Sequence, residues 1–183
     1  KRGDFFVLEL KRQLFRQNLL RSRAFTQITL DDDFIVPDAL DDAVQILLSD
    51  GEVQIENSRI QGEKVLIRGK LVFRVLYRRE SGGLQAMGGE IPFEETVNVP
   101  ELSERDYTQI VWNIEDLNIT MIHSRKLSAK AVLTLTVRAE SRVDAQAAAD
   151  VETDDVGLQV LKRSVPAATL AVRRKDIYRV REE

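Results

Sequence analysis

Sixteen residues, KVLIRGKLVFRVLYRR (64–79), alternate strictly between two characters. Val65, Ile67, Leu71, Phe73, Val75 and Tyr77 share one parity, with Gly69 in register. Arg68, Lys70, Arg74 and Arg78 share the other. Successive side chains of a strand point to opposite faces. A period-two run rich in β-branched and aromatic residues therefore specifies a half-buried β-strand.

Strand signals continue on both sides of it. EVQIENSRIQGEKVLIRG reads as a hairpin with Gln61-Gly62 at the turn. GGEIPFEETVNVP puts Ile91, Phe93, Val97 and Val99 on one face. Pro92, on the other face, has no N–H, which places this strand near a sheet edge. DYTQIVWNIEDLNITMIH opens with Ile110, Trp112 and Ile114 in phase, then carries Leu117, Ile119 and Met121 in the opposite phase. A β-bulge near Glu115-Asp116 produces such a flip. His123 to Lys126 form a tight connection to a further strand, on which Leu127, Ala129, Ala131, Leu133, Leu135 and Val137 share a face. Ser141 to Asp155 is rich in Ala and acids and loses all periodicity, as a linker or a short solvated turn of helix does.

One segment reads differently. In VPDALDDAVQILLSDG (36–51), Asp38 is a suitable N-cap, Asp41 and Asp42 lie in the first turn, and Gly51 suits a C-cap. Leu40, Ala43, Val44, Leu47 and Leu48 form an apolar stripe at helical spacing. The expected fold is thus α+β: a mostly antiparallel, sandwich-like β domain with one amphipathic helix, about 38–48, packed on the sheet.

Length and composition set the bounds. A chain of 183 residues makes one domain, or one and a fragment. At this size roughly 70% of the unfolded surface can be buried, so no staples are needed. Hydrophobic residues are 43% and charged residues 31%, the balance of a globular protein. Without cysteine there is neither a disulfide framework nor a thiolate zinc site. A net charge of -3 does not suit a general nucleic-acid binder. No apolar run reaches the length of a membrane span, and the first residues show no signal-peptide h-region.

The two ends resemble each other. Leu10-Lys11-Arg12 returns as Leu161-Lys162-Arg163, and with one residue of slip Ala24 to Ile28 falls on Asp176 to Val180. This is either a domain-sized repeat at a spacing of roughly 150 residues, far beyond solenoid periods, or a coincidence between two amphipathic strand pairs.

Motifs for chemistry are sparse. His123 is the one histidine, and zinc, haem or Ser-His-Asp chemistry needs more. Six carboxylates lie between Leu30 and Asp42, but without the glycine and twelfth-position Glu of an EF-hand; they read as an acidic loop with capping aspartates. Glu80 to Glu90 has two glycine pairs but no phosphate-cradle spacing, and reads as a flexible inter-strand loop. Asn118 to Thr120 and the Arg2-Gly3-Asp4 triplet read as chance matches. The stripe Arg68, Lys70, Arg74, Arg78 is either a solvated sheet face, opposite acids such as Glu52, Glu56 or Glu94, or a surface for an anionic partner. Those four are the candidate partner-binding residues.

The order of VPDALDDAVQIL, VLIRGKLVFRVLY, EIPFEETVNVP and HSRKLSAKAVLTLTV, followed by a restart at LQVLKR, resembles the SPOCS domain of spore-coat morphogenesis proteins in endospore-forming bacteria. The most specific pieces are Pro37-Asp38, the strand Gly69 to Tyr77, Ile91 to Phe93 and Ser124 to Leu127. Where the family commonly has Gly before a second Pro, this chain has Ala39-Leu40, so the local turn is expected to differ. Family members often carry the domain in tandem. The resemblance implies a SPOCS-like domain over 5–155. Residues 156–183 would then be terminal strands that resemble the start of a second repeat or complete the first.

It further implies a non-enzymatic structural or adaptor role in spore-coat or spore-envelope assembly, through contacts with other spore-coat or morphogenetic proteins. The expected location is the mother-cell cytoplasm at the forespore surface. No catalytic residue, cofactor or metal ligand carries over, and no LysM module is found in this sequence. Homo-oligomers through exposed edges, Phe5 to Leu14 and Leu158 to Val165, are a further expectation. The alternative is a glycan- or peptide-binding module of the cell envelope. Its stacking residues would come from Tyr77, Tyr107, Trp112 and Tyr178, of which Tyr77 and Trp112 read as core. A hydrolase ranks last, for want of convergent polar groups.

Overall fold

The computed structural model describes residues 8–153 and 159–174. Six strands account for its regular structure: β1 (Leu8–Ile35), β2 (Ala43–Gln61), β3 (Lys64–Arg79), β4 (Leu84–Asn98), β5 (Tyr107–His123) and β6 (Lys126–Thr153). They form two three-stranded sheets, ordered β1-β6-β5 and β2-β3-β4. The pairs β2–β3, β3–β4 and β5–β6 are antiparallel. Ion pairs of Lys126 with Asp33 and Lys130 with Asp31 run in opposite chain directions, as antiparallel β1 and β6 require. The chain divides into two compact units, one of residues 20–140 and one drawn from 1–19 and 141–183.

In the 20–140 unit the two sheets pack face to face. Their central strands, β3 and β6, supply most of the core. Val65, Ile67, Leu71, Phe73, Val75 and Tyr77 on β3 are buried, as are the seven alternate residues from Leu127 to Ala139 on β6. Leu71, Phe73 and Tyr77 share one cluster with Leu127, Ala131 and Leu133; Val65 and Ile67 share another with Leu135 and Val137. Each buried Val, Leu, Ile or Phe among them contributes about 1.5–3 kcal/mol, and the alanines less. The strict alternation of both strands is therefore what the fold rests on.

Several turns follow the sequence closely. Gly62, with φ near 60°, opens the two-residue loop between β2 and β3, the position where a tight hairpin wants glycine. Ser124 and Arg125 close the β5–β6 hairpin between paired His123 and Lys126. The expected bulge on β5 lies between Ile114 and Asp116. Pro92 sits on β4, an edge strand, as its missing N–H demands.

The expected helix does not form. Among the described residues there is no helix, and the fold is all-β rather than α+β. Pro37 to Leu40 make a turn, closed by the Leu40 amide donating to the Pro37 carbonyl at 2.9 Å, and β2 begins at Ala43. The cause lies in the register of β2 on β3, which slips between Ala43 and Gln45, between Ile46 and Leu48, and between Ile55 and Asn57. Each slip adds a residue to β2. Inward positions therefore fall at Ala43, Ile46 and Ser49, three apart, before returning to period two at Gly51, Val53 and Ile55. Bulges gave this strand an apparent helical spacing. The stripe assigned to the helix is mostly turned outward: Val44, Leu47 and Leu48 are exposed.

Three further corrections are smaller. Ser141 to Thr153 continue β6 instead of forming a linker. The flexible loop expected over 80–90 shrinks to 80–83, because Leu84 to Glu90 belong to β4. Gly89 is there to make room: a Cβ on it would lie 2.5 Å from the Phe73 ring and 2.6 Å from that of Phe34, rings that meet edge to face at 4.7 Å. Trp112 is 36% exposed and does not join the core. Residues 159–174 carry no regular secondary structure. The restart strand at Asp176 to Val180, Phe5 to Val7 and the boundary at 156 lie outside the described residues.

Candidate interaction surface

The densest polar cluster of the 20–140 unit joins the loop before β2 to the β5–β6 turn. Arg125 Nη1 donates to the Leu40 carbonyl at 2.8 Å and to Asp42 at 3.1 Å; Nη2 donates to Asp38 at 2.9 Å. Ser124 Oγ donates to the other Asp42 oxygen at 2.8 Å, and the Ser124 carbonyl accepts the Ala43 amide. The hydroxyl together with the guanidinium holds the Asp42 carboxyl below its ordinary range. Asp41 accepts from Ser81 at 2.5 Å and lies 3.5 Å from Arg79, while its backbone carbonyl accepts the Tyr77 hydroxyl at 3.0 Å. Burial raises the Tyr77 pKa. Asp38, Leu40, Asp41, Asp42, Glu80, Ser81 and Arg125 line an open cleft here. Two acids at the end of β1 turn to β6 instead: Asp33 pairs with Lys126 at 2.7 Å and Asp31 with Lys130 at 3.1 Å. These carboxylates fasten a loop to a hairpin. His123 lies at the rim, its Nδ1 accepting the Arg125 amide at 3.2 Å.

The four candidate partner-binding residues all lie on the outer face of the β2-β3-β4 sheet, but they divide. Arg68 pairs with Glu94, and Lys70 with Glu90 at 2.7 Å, both across to β4. Among the described residues Arg74 and Arg78 make no ion pair or side-chain hydrogen bond. Between them on β3 stands Leu76, with Leu48 of β2 on one side and Ala86 of β4 on the other. Arg78 is flanked by Gln45 and Leu84, Arg74 by Asp50 and Gly88. Leu48 is 63% exposed and Leu84 58%, and the bulged Val44 and Leu47 are exposed beside them. The face thus carries an apolar row bracketed by two uncommitted guanidinium groups. Sequence reasoning found the arginines but assigned Val44, Leu47 and Leu48 to a buried helix stripe. The signal available was the parity that Leu76 shares with the arginines within β3 and that Leu84 shares with Pro92 within β4.

The other unit is built from the first part of β1 and the last part of β6. Lys11 pairs with Glu152, Arg16 with Asp144 at 3.7 Å, and Lys162 with Asp150 at 2.6 Å. The backbone of Arg16 is used on both counts by the C-terminal segment: its amide donates to Thr169 Oγ1 at 2.9 Å and its carbonyl accepts the Leu170 amide at 2.8 Å. Leu8, Leu10 and Leu14, on one of the two segments expected to pair at edges, are exposed. Of the other, residues 159–165 are described and form no strand.

No curated protein and no solved structure matches the chain. A family model described as "SipL, SPOCS domain" matches residues 42–122, which run from the start of β2 to the end of β5 and include the whole apolar and basic face. Over those residues the chain carries a SPOCS domain, a domain of unknown molecular function that is associated with spore-coat proteins and has no known catalytic activity.

Proposed function

We propose that this chain is a non-enzymatic adaptor of spore-coat or spore-envelope assembly. It acts by protein–protein contact, in the mother-cell cytoplasm at the forespore surface. The observation that carries this reading is the SPOCS match over β2 to β5. The geometry is in keeping with it: the polar side chains of the Arg125 cluster are engaged with one another, while an apolar and basic sheet face is left bare. A fluorescent fusion expressed in a sporulating endospore former is expected to move to the forespore perimeter. A signal that stays evenly spread through the mother cell until lysis overturns the reading.

A peptide-binding role falls within this reading; a glycan-binding role is less well supplied. Tyr77 is fully buried, and Tyr178 lies outside the described residues. Tyr107 and Trp112 stand five residues apart on β5, about 17 Å at strand rise, which leaves single aromatics instead of a stacking pair.

A further inference from the structure

We infer that the Leu48–Leu76–Ala86 row, bracketed by Arg74 and Arg78, docks a segment of another protein that presents apolar side chains between two carboxylates. The inference rests on the adaptor reading and gives it a site and a partner chemistry. Its first ground is exposure. Val44, Leu47, Leu48 and Leu84 lie bare on one end of one sheet face, which is a contiguous patch and not scattered single residues. Its second ground is charge. Further along the same face Arg68 and Lys70 are answered by Glu94 and Glu90, whereas Arg78 has no acid beside it on either neighbouring strand, and Asp50, opposite Arg74, accepts the Gly51 amide and makes no ion pair with Arg74 among the described residues. The chain as a whole is acidic at -3, so this basic bracket is a local inversion of its net charge.

The geometry limits the occupant. Arg74 and Arg78 are four residues apart on a straight strand, about 13 Å between Cα atoms. Matching carboxylates are then four residues apart in an extended segment lying along β3, or about two turns apart on a helix. A second copy in a two-fold contact through this face would set arginines against arginines. Nucleic acid would meet leucines where it offers phosphates. A protein segment with acidic ends and an apolar middle satisfies both halves of the face.

The test is selection of a random-peptide display library on the chain, with amide shifts recorded for the winning peptide. The expected consensus has two or three apolar residues flanked by Asp or Glu. The shifts are expected on Val44 to Asp50, Arg74 to Arg78 and Leu84 to Gly88. Arg74→Glu with Arg78→Glu should weaken that peptide by about tenfold or more and favour a version with Lys in place of its acids. Leu48→Ser should weaken both versions alike. All these side chains point out of the sheet, so the variants keep the fold. No enrichment, a consensus without acids, or shifts elsewhere overturns the proposal. So does concentration-dependent shifting of these residues without peptide, or stronger binding there to an oligonucleotide or to phosphatidylglycerol vesicles. Leu48→Ser combined with Arg74→Glu and Arg78→Glu, tested as a fluorescent fusion, separates the two readings. If the parent chain reaches the forespore and the variant does so equally, this site is wrong and the adaptor role stands. If the parent chain itself stays diffuse, the adaptor role fails.

Discussion

β2 and β3 are hydrogen-bonded neighbours in one sheet, yet they obey their own periods differently. Against β4, β3 runs fifteen residue pairs without a slip, and every second side chain enters the core. β2 slips three times against the same β3. The difference follows from position. A central strand has a ladder on each side, so an extra residue would break hydrogen bonds on both. An edge strand has one ladder and absorbs a bulge by bending locally. Regularity is thus enforced in the middle of this sheet and relaxed at its border, and the candidate surface combines the two: arginines on the regular β3 and leucines on the bulged β2.

The largest effect should come from the strand with no slack. Phe73→Ala removes a fully buried ring that meets Phe34 edge to face and fills the space beside Gly89. It should cost about 3–5 kcal/mol, read from urea unfolding as a lower midpoint at unchanged slope. A loss under about 1 kcal/mol would mean that β3 can repack, and the contrast with β2 would lose its basis.

Two glycines sharpen the contrast further. A Cβ on Gly69 of β3 would meet backbone, the Gln54 carbonyl oxygen at 2.6 Å and the Ile55 Cα at 3.4 Å. A Cβ on Gly51 of β2 would meet mainly the Leu117 Cδ2 at 2.8 Å, the far end of a side chain that can turn aside. Gly69→Ala should therefore destabilise by about 1–3 kcal/mol and Gly51→Ala by clearly less. Equal losses in the same unfolding assay would show that the border is as rigid as the centre.

How much of this was legible follows the same line. β3, β4, the β5 bulge and the first part of β6 were readable because a strand buried on one face repeats every two residues, and a single phase flip marks a single inserted residue. Where β2 inserts residues at Val44 and Leu47, the period became three, and Asp38, Asp41 and Asp42 supplied the acids expected of a helix N-terminus. Those acids instead bind Arg125, Arg79, Ser81 and Ser124, partners 38 to 87 residues away that no local pattern reveals. Ser141 to Thr153 lost alternation because the described side chains of that unit are all exposed or half-buried, so one strand face has no core to match. The basic stripe was visible as a stripe. Its division into paired Arg68 and Lys70 and unpaired Arg74 and Arg78 depended on which residues of β4 stand opposite.

The entry to β2 should also respond to acid. The Ser124 hydroxyl and Arg125 lower the Asp42 pKa from its ordinary 3.8, and Lys126 does the same for Asp33. A carboxylate depressed in the folded state stabilises it above the unfolded pKa, and that contribution disappears as pH falls through the folded one. Melting temperature should therefore drop between about pH 5 and about pH 2. Asp42→Asn should start lower near neutrality and lose less on acidification, so that the two curves converge. Parallel curves would remove Asp42 from the account of how β2 is started.

The smallest effect is the most discriminating. Leu48 lay in the core stripe of the expected helix, and on a buried helix face its loss would cost about 2–5 kcal/mol. On the bulged strand it is 63% exposed and stands beside Leu76 on the outer face. Leu48→Ser should then change stability by no more than about 0.5 kcal/mol in either direction. Serine is also compatible with a strand next to a bulge, so no backbone penalty hides the result. A loss in the range of a core leucine would place Leu48 inside, cancel the bulges on either side of it, and take away the apolar row between Arg74 and Arg78. A near-zero change keeps Leu48 outside, where its exposure is unrewarded by the fold itself and its place is left to a partner.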